Sequence, residues 1–119
     1  FAIYMMSLVM EWLKDQGGIA KIERQNEAKA KLIYDYIDST DFYFGTAEPA
    51  HRSIMNVTFK MLNEDLLDSF LEQAEANDLY ALKGHRDVGG IRASIYNAMP
   101  MAGCEALVKF MQEFEKNNG

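Results

Sequence analysis

Between Lys83 and Arg92 the chain reads Lys-Gly-His-Arg-Asp-Val-Gly-Gly-Ile-Arg, and two of its four arginines fall in this stretch. A guanidinium is a planar, permanently charged fork that binds a carboxylate or phosphate through two parallel hydrogen bonds. Glycines lack the Cβ atoms that hold backbone N–H groups away from a bound ion. The types and spacing of Gly84, His85, Arg86, Gly89, Gly90 and Arg92 therefore suit the recognition of a small anion. Lys83, Arg86 and Arg92 against Asp87 leave +2 on this segment and −8 on the rest of a chain whose net charge is −6. No Ser or Cys stands in a triad context with His85, and neither the Walker spacing nor the dinucleotide-binding glycine spacing occurs. The same residues also fit a plain turn between strands, with Gly89 and Gly90 in the turn and Arg92 in a surface ion pair with a helix acid.

The remaining composition narrows the field. A net charge of −6 and an isoelectric point near 4.8 exclude a nucleic-acid or anionic-membrane surface, since both need a basic field. The single cysteine, Cys104, cannot form an internal disulfide, and no Cys or His stands near it at zinc-ligand spacing. The apolar stretch Phe1 to Met10 has no basic flank or small-residue cleavage site, and Glu11 interrupts it well before the ~18 residues of a membrane span. Neither a targeting nor a transmembrane segment is expected, and the chain reads as cytoplasmic. Trp12 and the methionines at helical spacing are expected in the core, and Cys104 and His51 carry no assigned role.

Periodicity supplies the elements that must hold the basic segment in place. Phe1, Tyr4, Met5, Leu8, Val9, Trp12 and Leu13 predict an amphipathic helix ending at Gly17-Gly18; it lacks a capping residue at its start, which suggests a fragment. A charged helix follows from Ile19 to about Asp38, packed along the first, with Ile22, Ala30, Ile33, Tyr34 and Ile37 inward. A loop over 39–52 carries a short strand at Phe42 to Phe44. Alternation over Ser53 to Lys60 predicts a strand with Met55, Val57 and Phe59 on one face. Asn63 caps a helix from Glu64 to about Ala76, and Leu79 to Leu82 reads as a short strand. Alternation resumes from Ile91 to Tyr96, with Arg92, Ser94 and Tyr96 opposite Ile91, Ala93 and Ile95. Pro100 opens a closing helix whose stripe is Ala106, Leu107, Phe110, Met111 and Phe114. The fold class is α/β (α+β): a two-layer sandwich in which helices cover one face of a small, mainly antiparallel sheet.

The run from Gly84 through Ile91-Arg-Ala-Ser-Ile-Tyr-Asn-Ala-Met-Pro100 closely resembles the C-terminal signature of the phosphoserine aminotransferases. The likeness extends to Phe1-Ala-Ile-Tyr-Met, to Met55-Asn-Val-Thr-Phe59 and to the closing helix. It implies the small C-terminal domain of a fold-type-I, pyridoxal-phosphate-dependent enzyme, with residues 1–119 forming that single domain. Such an enzyme moves an amino group between L-glutamate and 3-phosphohydroxypyruvate, giving 2-oxoglutarate and O-phosphoserine for serine biosynthesis.

By the same resemblance, the Schiff-base lysine and the cofactor pocket lie in a large domain preceding Phe1. No catalytic or cofactor-binding residue is then expected here, no metal site, and no cofactor bound to this segment alone. Arg92 would hold the substrate α-carboxylate, and His85 and Arg86 the phosphate or the distal carboxylate of glutamate. Arginines of a neighbouring subunit complete the family's phosphate site, so the implied assembly is a homodimer. Asp87 departs from the small residue expected there, and its carboxylate weakens a phosphate site unless it turns away or pairs with Arg86. The alternative is a stand-alone α/β module that binds an anion or a partner. Without a large domain, the segment is expected to self-associate or to leave an unusual apolar surface exposed.

Overall fold

Alternating burial along Asn56–Met61 sets the architecture. Val57, Phe59 and Met61 are buried while Asn56, Thr58 and Lys60 are half-exposed. The computed structural model describes residues 1–119. In chain order it has α1 (Ala2–Asp15), α2 (Ile19–Ser39), β1 (Tyr43–Gly45), β2 (Asn56–Met61), α3 (Leu67–Ala76), β3 (Ile91–Ser94) and α4 (Met101–Asn118). Two 3-10 turns, Pro49–His51 and Glu64–Leu66, precede β2 and α3. The strands form one antiparallel sheet in the order β1-β2-β3, with Thr58 opposite Arg92 and Phe59 opposite Ile91.

The helices cover one face of that sheet. From α2 come Ala30, Ile33 and Ile37, from α3 Phe70 and Ala74, and from α4 Cys104, Leu107, Phe110, Met111 and Phe114. They meet Tyr43, Val57, Phe59, Ile91 and Ala93 in a single core. Phe70 is the aromatic centre of it, with the rings of Tyr43, Phe59, Phe110 and Phe114 at centroid distances of 5.0 to 6.4 Å. Truncating a buried ring in such a setting costs about 3–5 kcal/mol. The Tyr43 hydroxyl donates to the Met111 carbonyl at 2.9 Å, which ties β1 to α4 and satisfies the one polar atom of that ring.

Four expectations need correction. Leu79 to Leu82 is not a strand: Asp78 and Ala81 adopt left-handed φ of 60° and 59°, and only a bridge from Lys83 to Ile91 follows. The strands are therefore three, one at 43–45 in place of 42–44, one starting at Asn56, and one ending at Ser94. Ala106 is exposed and lies outside the buried stripe of α4. Helix α1 buries no residue at all, so the exposed apolar surface expected from the sequence lies on it. It packs against α2, and Phe1, Tyr4, Met5, Leu8, Val9 and Trp12 face solvent in a chain 46 Å long and under 30 Å across. Trp12 and most of the methionines are accordingly outside the core, with Met61 and Met111 the fully buried exceptions.

No helix is long and apolar enough to cross a membrane. The uncovered face of α1 is larger than isolated surface apolar residues make on a monomer. The 119 residues made alone should therefore show a weight-average mass that rises with concentration in sedimentation equilibrium. Tyr4→Lys with Val9→Lys should return the mass to that of a monomer; a monomer at all concentrations in the parent would show that the face needs no cover.

Candidate functional site

The position of Arg92 follows from the strand it occupies. Ile91 and Ala93 are 1% and 2% exposed, so the period-two alternation of β3 sends Arg92 and Ser94 to the face that carries no helix. Asn56, Thr58 and Lys60 of β2 point to the same side, and the Ser94 hydroxyl donates to Asn56 Oδ1 at 3.1 Å. The strands place no carboxylate on this face: its side chains are Phe44, Asn56, Thr58, Lys60, Arg92 and Ser94. Lys60 was missed in the sequence reading although its alternation signal was present. Its Cγ lies 2.8 Å from where a Cβ on Gly90 would stand, beside the start of β3. Its ammonium is 3.6 Å from Glu64.

Arg92 is half-buried, its Nε is buried without a hydrogen-bond partner, and it takes part in no ion pair. That overturns the reading of Arg92 as one half of a surface ion pair. Its backbone N–H donates to the Leu82 carbonyl at 2.7 Å, which holds the residue in line with the strand. By contrast Arg52, which is equally charged, is spent internally. Both its terminal nitrogens bond Asp38 at 2.7 Å and its guanidinium stacks 4.6 Å from the Tyr34 ring centroid. The Arg52 hydrogen bonds hold the Asp38 carboxyl below the ordinary aspartate range.

The loop 84–90 is pinched shut at its base. Gly84 N–H donates to the Gly90 carbonyl at 2.9 Å, and the Val88 and Gly89 N–H groups both donate to the His85 carbonyl, at 3.0 and 2.7 Å. A Cβ on Gly84 would fall 2.1 Å from the Gly89 oxygen, and one on Gly90 would fall 2.9 Å from the Phe59 oxygen at a φ of +70°. Only glycine fits at either place. The closed loop lifts His85 and Arg86 into solvent together, with side-chain exposures of 58% and 92%. Asp87 N–H donates to His85 Nδ1 at 3.2 Å, which leaves Nε2 as the outward nitrogen of the ring. The Asp87 carboxylate stands 3.9 Å from Arg86 Nε as a weak counter-ion to that guanidinium, and 3.5 Å from His85 Nδ1. The structure thus brings His85 and Arg86 onto one turn and sets Arg92 on the strand that follows it, with no hydrogen bond joining the two parts.

The chain's own residues do not fit a Schiff-base cofactor. Of the eight lysines only Lys29 is buried, and its Nζ already donates to the carbonyls of Ile95, Tyr96 and Met99 at 3.4, 2.9 and 2.9 Å. No cluster of His, Cys, Asp and Glu could hold a metal ion.

The class-V aminotransferase family profile matches residues 1–107, and the chain belongs to that family. Within it, the chain is 60% identical over 118 residues to a phosphoserine aminotransferase of Nitrosomonas europaea, covering 99% of this chain and 32% of that one. A solved phosphoserine aminotransferase from Bacillus circulans subsp. alkalophilus superposes with a TM-score of 0.95 at 47% identity, covering 100% of this chain and 33% of that one. A pyridoxal-phosphate-bound phosphoserine aminotransferase from Trichomonas vaginalis gives a TM-score of 0.86 at 37% identity, over 94% of this chain and 32% of that one. The chain therefore spans about a third of the length of the relatives it matches. A match of this kind leaves the stand-alone module without support.

Asp87 is the acidic group that stands beside both His85 and Arg86. Asp87→Ser should tighten phosphate-monoester binding by about two- to five-fold, in keeping with the ~0.5–1 kcal/mol typical of exposed charge pairs. Titration calorimetry with phosphoserine checks this, and weaker binding would mean that Asp87 orients His85 rather than opposing the ligand.

Proposed function

We propose that this chain is the small, substrate-anchoring domain of a longer pyridoxal-phosphate-dependent aminotransferase, a homodimer. Its substrates are L-glutamate and 3-phosphohydroxypyruvate, and its products are 2-oxoglutarate and O-phosphoserine. The observation that carries the reading is the unpaired Arg92 guanidinium on a face whose strands bring no carboxylate. The names of the relatives support the substrate class, and the bound cofactor of the Trichomonas vaginalis protein supports the cofactor. Cytoplasmic placement suits a chain whose one thiol, Cys104, is buried and unpaired.

Each residue has a distinct part. Arg92 grips the α-carboxylate with a fork fixed by the strand, so that the substrate's amino-bearing carbon is presented in one orientation. His85 and Arg86, exposed on the backbone-closed loop, meet the far end of the substrate. A phosphate and the distal carboxylate of glutamate are both anions, so one pair of groups serves both half-reactions. Arginines from the second subunit complete that end of the site. The electron-sink chemistry belongs to the cofactor and to residues outside these 119.

The test is transamination between glutamate and 3-phosphohydroxypyruvate by the full-length enzyme carrying this chain. Arg92→Ala should lower kcat/KM by about ten- to a hundred-fold with the cofactor absorbance retained, as expected for losing ~1.5–3 kcal/mol of charged hydrogen bonding. His85→Ala should lower it less, and for both substrates. Parental activity in both variants would remove the site assignment, and no transamination by the parent would remove the proposed reaction.

A further inference from the structure

Only two polar or charged side chains in the chain are buried, Asn26 at 5% and Lys29 at 3% exposure, and they stand one helical turn apart on α2. Both reach the same short segment. Asn26 Nδ2 donates to Asn97 Oδ1 at 2.8 Å, and Lys29 Nζ donates to the carbonyls of Ile95, Tyr96 and Met99. Three carbonyls match the three N–H donors of an ammonium. A cleft of about 490 Å³ borders Lys29, but with every donor engaged the group has nothing left to offer a ligand there.

Burying a charge is costly unless it is fully satisfied, and a well-packed apolar contact would join helix and turn more cheaply. What the charge adds is geometry: it aims three carbonyls at one point. The segment so held begins where the sheet ends. Ile95 N–H donates to the Met55 carbonyl at 2.9 Å as the last tie between the two strands, and beyond it the chain has no strand partner before α4 starts at Met101. The outward row of Arg92 and Ser94 continues at this point into Tyr96, which is 57% exposed.

We infer that Lys29, assisted by Asn26, is a positioning residue that holds the Ile95–Met99 turn and thereby keeps the Arg92, Ser94, Tyr96 row in the geometry that binds substrate. The inference rests on the reading of Arg92 as the substrate anchor. Lys29 touches no substrate; it acts through the backbone of the turn. Because the acceptors are main-chain oxygens, the requirement is for an ammonium at that spot and for no particular side chain on the turn itself.

The experiment compares Lys29→Met, Asn26→Ala and Arg92→Ala in the full-length enzyme. Lys29→Met keeps the unbranched stem, one atom shorter, and removes the charge and donors. It should retain the cofactor and kcat, raise KM for phosphoserine about ten-fold or more, and speed amide exchange over 96–99. Asn26→Ala, which removes one tie and keeps the charge, should move both readouts the same way by less, and it carries the test if Lys29→Met does not fold. A folded variant with a lower melting temperature but parental KM, or with parental exchange at the turn, overturns the inference, since Lys29 would then serve stability alone. If Arg92→Ala raises KM and Lys29→Met does not, the clamp fails by itself. If Arg92→Ala leaves KM at the parental value, the anchor reading fails and takes the inference with it.

Discussion

The register between β2 and β3 is the constraint on which the rest depends. Because Ile91, Ala93 and Ile95 must enter the core, Arg92 and Ser94 have no choice but the open face. A slip of one residue would exchange the two sets, burying a guanidinium among Val57, Phe59 and Phe70 and exposing two isoleucines. The hydrophobic core thus fixes the direction of the charged fork more firmly than any contact the fork makes itself. On its other side β3 meets the end of the loop 84–90, which the bond from Gly84 to Gly90 and the bridge from Lys83 to Ile91 close.

Charge in this acidic chain is sorted by task. Arg52 is consumed by Asp38 and Tyr34 and fastens the loop before β2 onto α2. Lys29 is consumed by backbone carbonyls. Arg86 and Arg92 are left without strong partners, and both lie in or beside the glycine-closed segment. An unpaired, half-buried guanidinium is unfavourable in isolation, and a bound carboxylate relieves that cost, which is how a binding group differs from a structural one. Burial pushes the Lys29 ammonium below the ordinary lysine value, with Cys104 acting in the opposite sense. Its three acceptors offset that penalty.

The sequence made some of this visible and hid the rest for physical reasons. Strands β2 and β3, helices α2 and α4, and the outward direction of Arg92 follow from local alternation and helical spacing, which do not depend on distant contacts. The break at Leu79 to Leu82 was hidden because the left-handed residues are Asp78 and Ala81, neither of them a glycine. The apolar stripe of α1 announces a face that seeks cover without saying what covers it, and the fold leaves it open. Lys29 reads in sequence as one more charge on a solvated helix. Its burial depends on carbonyls 66 to 70 residues away, a partnership no local window contains. The roles of His85 and Arg86 came from the family resemblance, since exposure and loop position alone do not distinguish them from any polar turn.

The most direct measurement is a cycle that deletes the same contact from both sides. In the full-length enzyme, inhibition by phosphoserine is compared with inhibition by phosphoethanolamine, which lacks the α-carboxylate, for the parent and for Arg92→Ala. The account predicts a strong parental preference for phosphoserine, on the order of ten- to a hundred-fold, that collapses toward unity in Arg92→Ala. A preference that survives the substitution would show that the carboxylate is held elsewhere, and that the open sheet face is not the anchor.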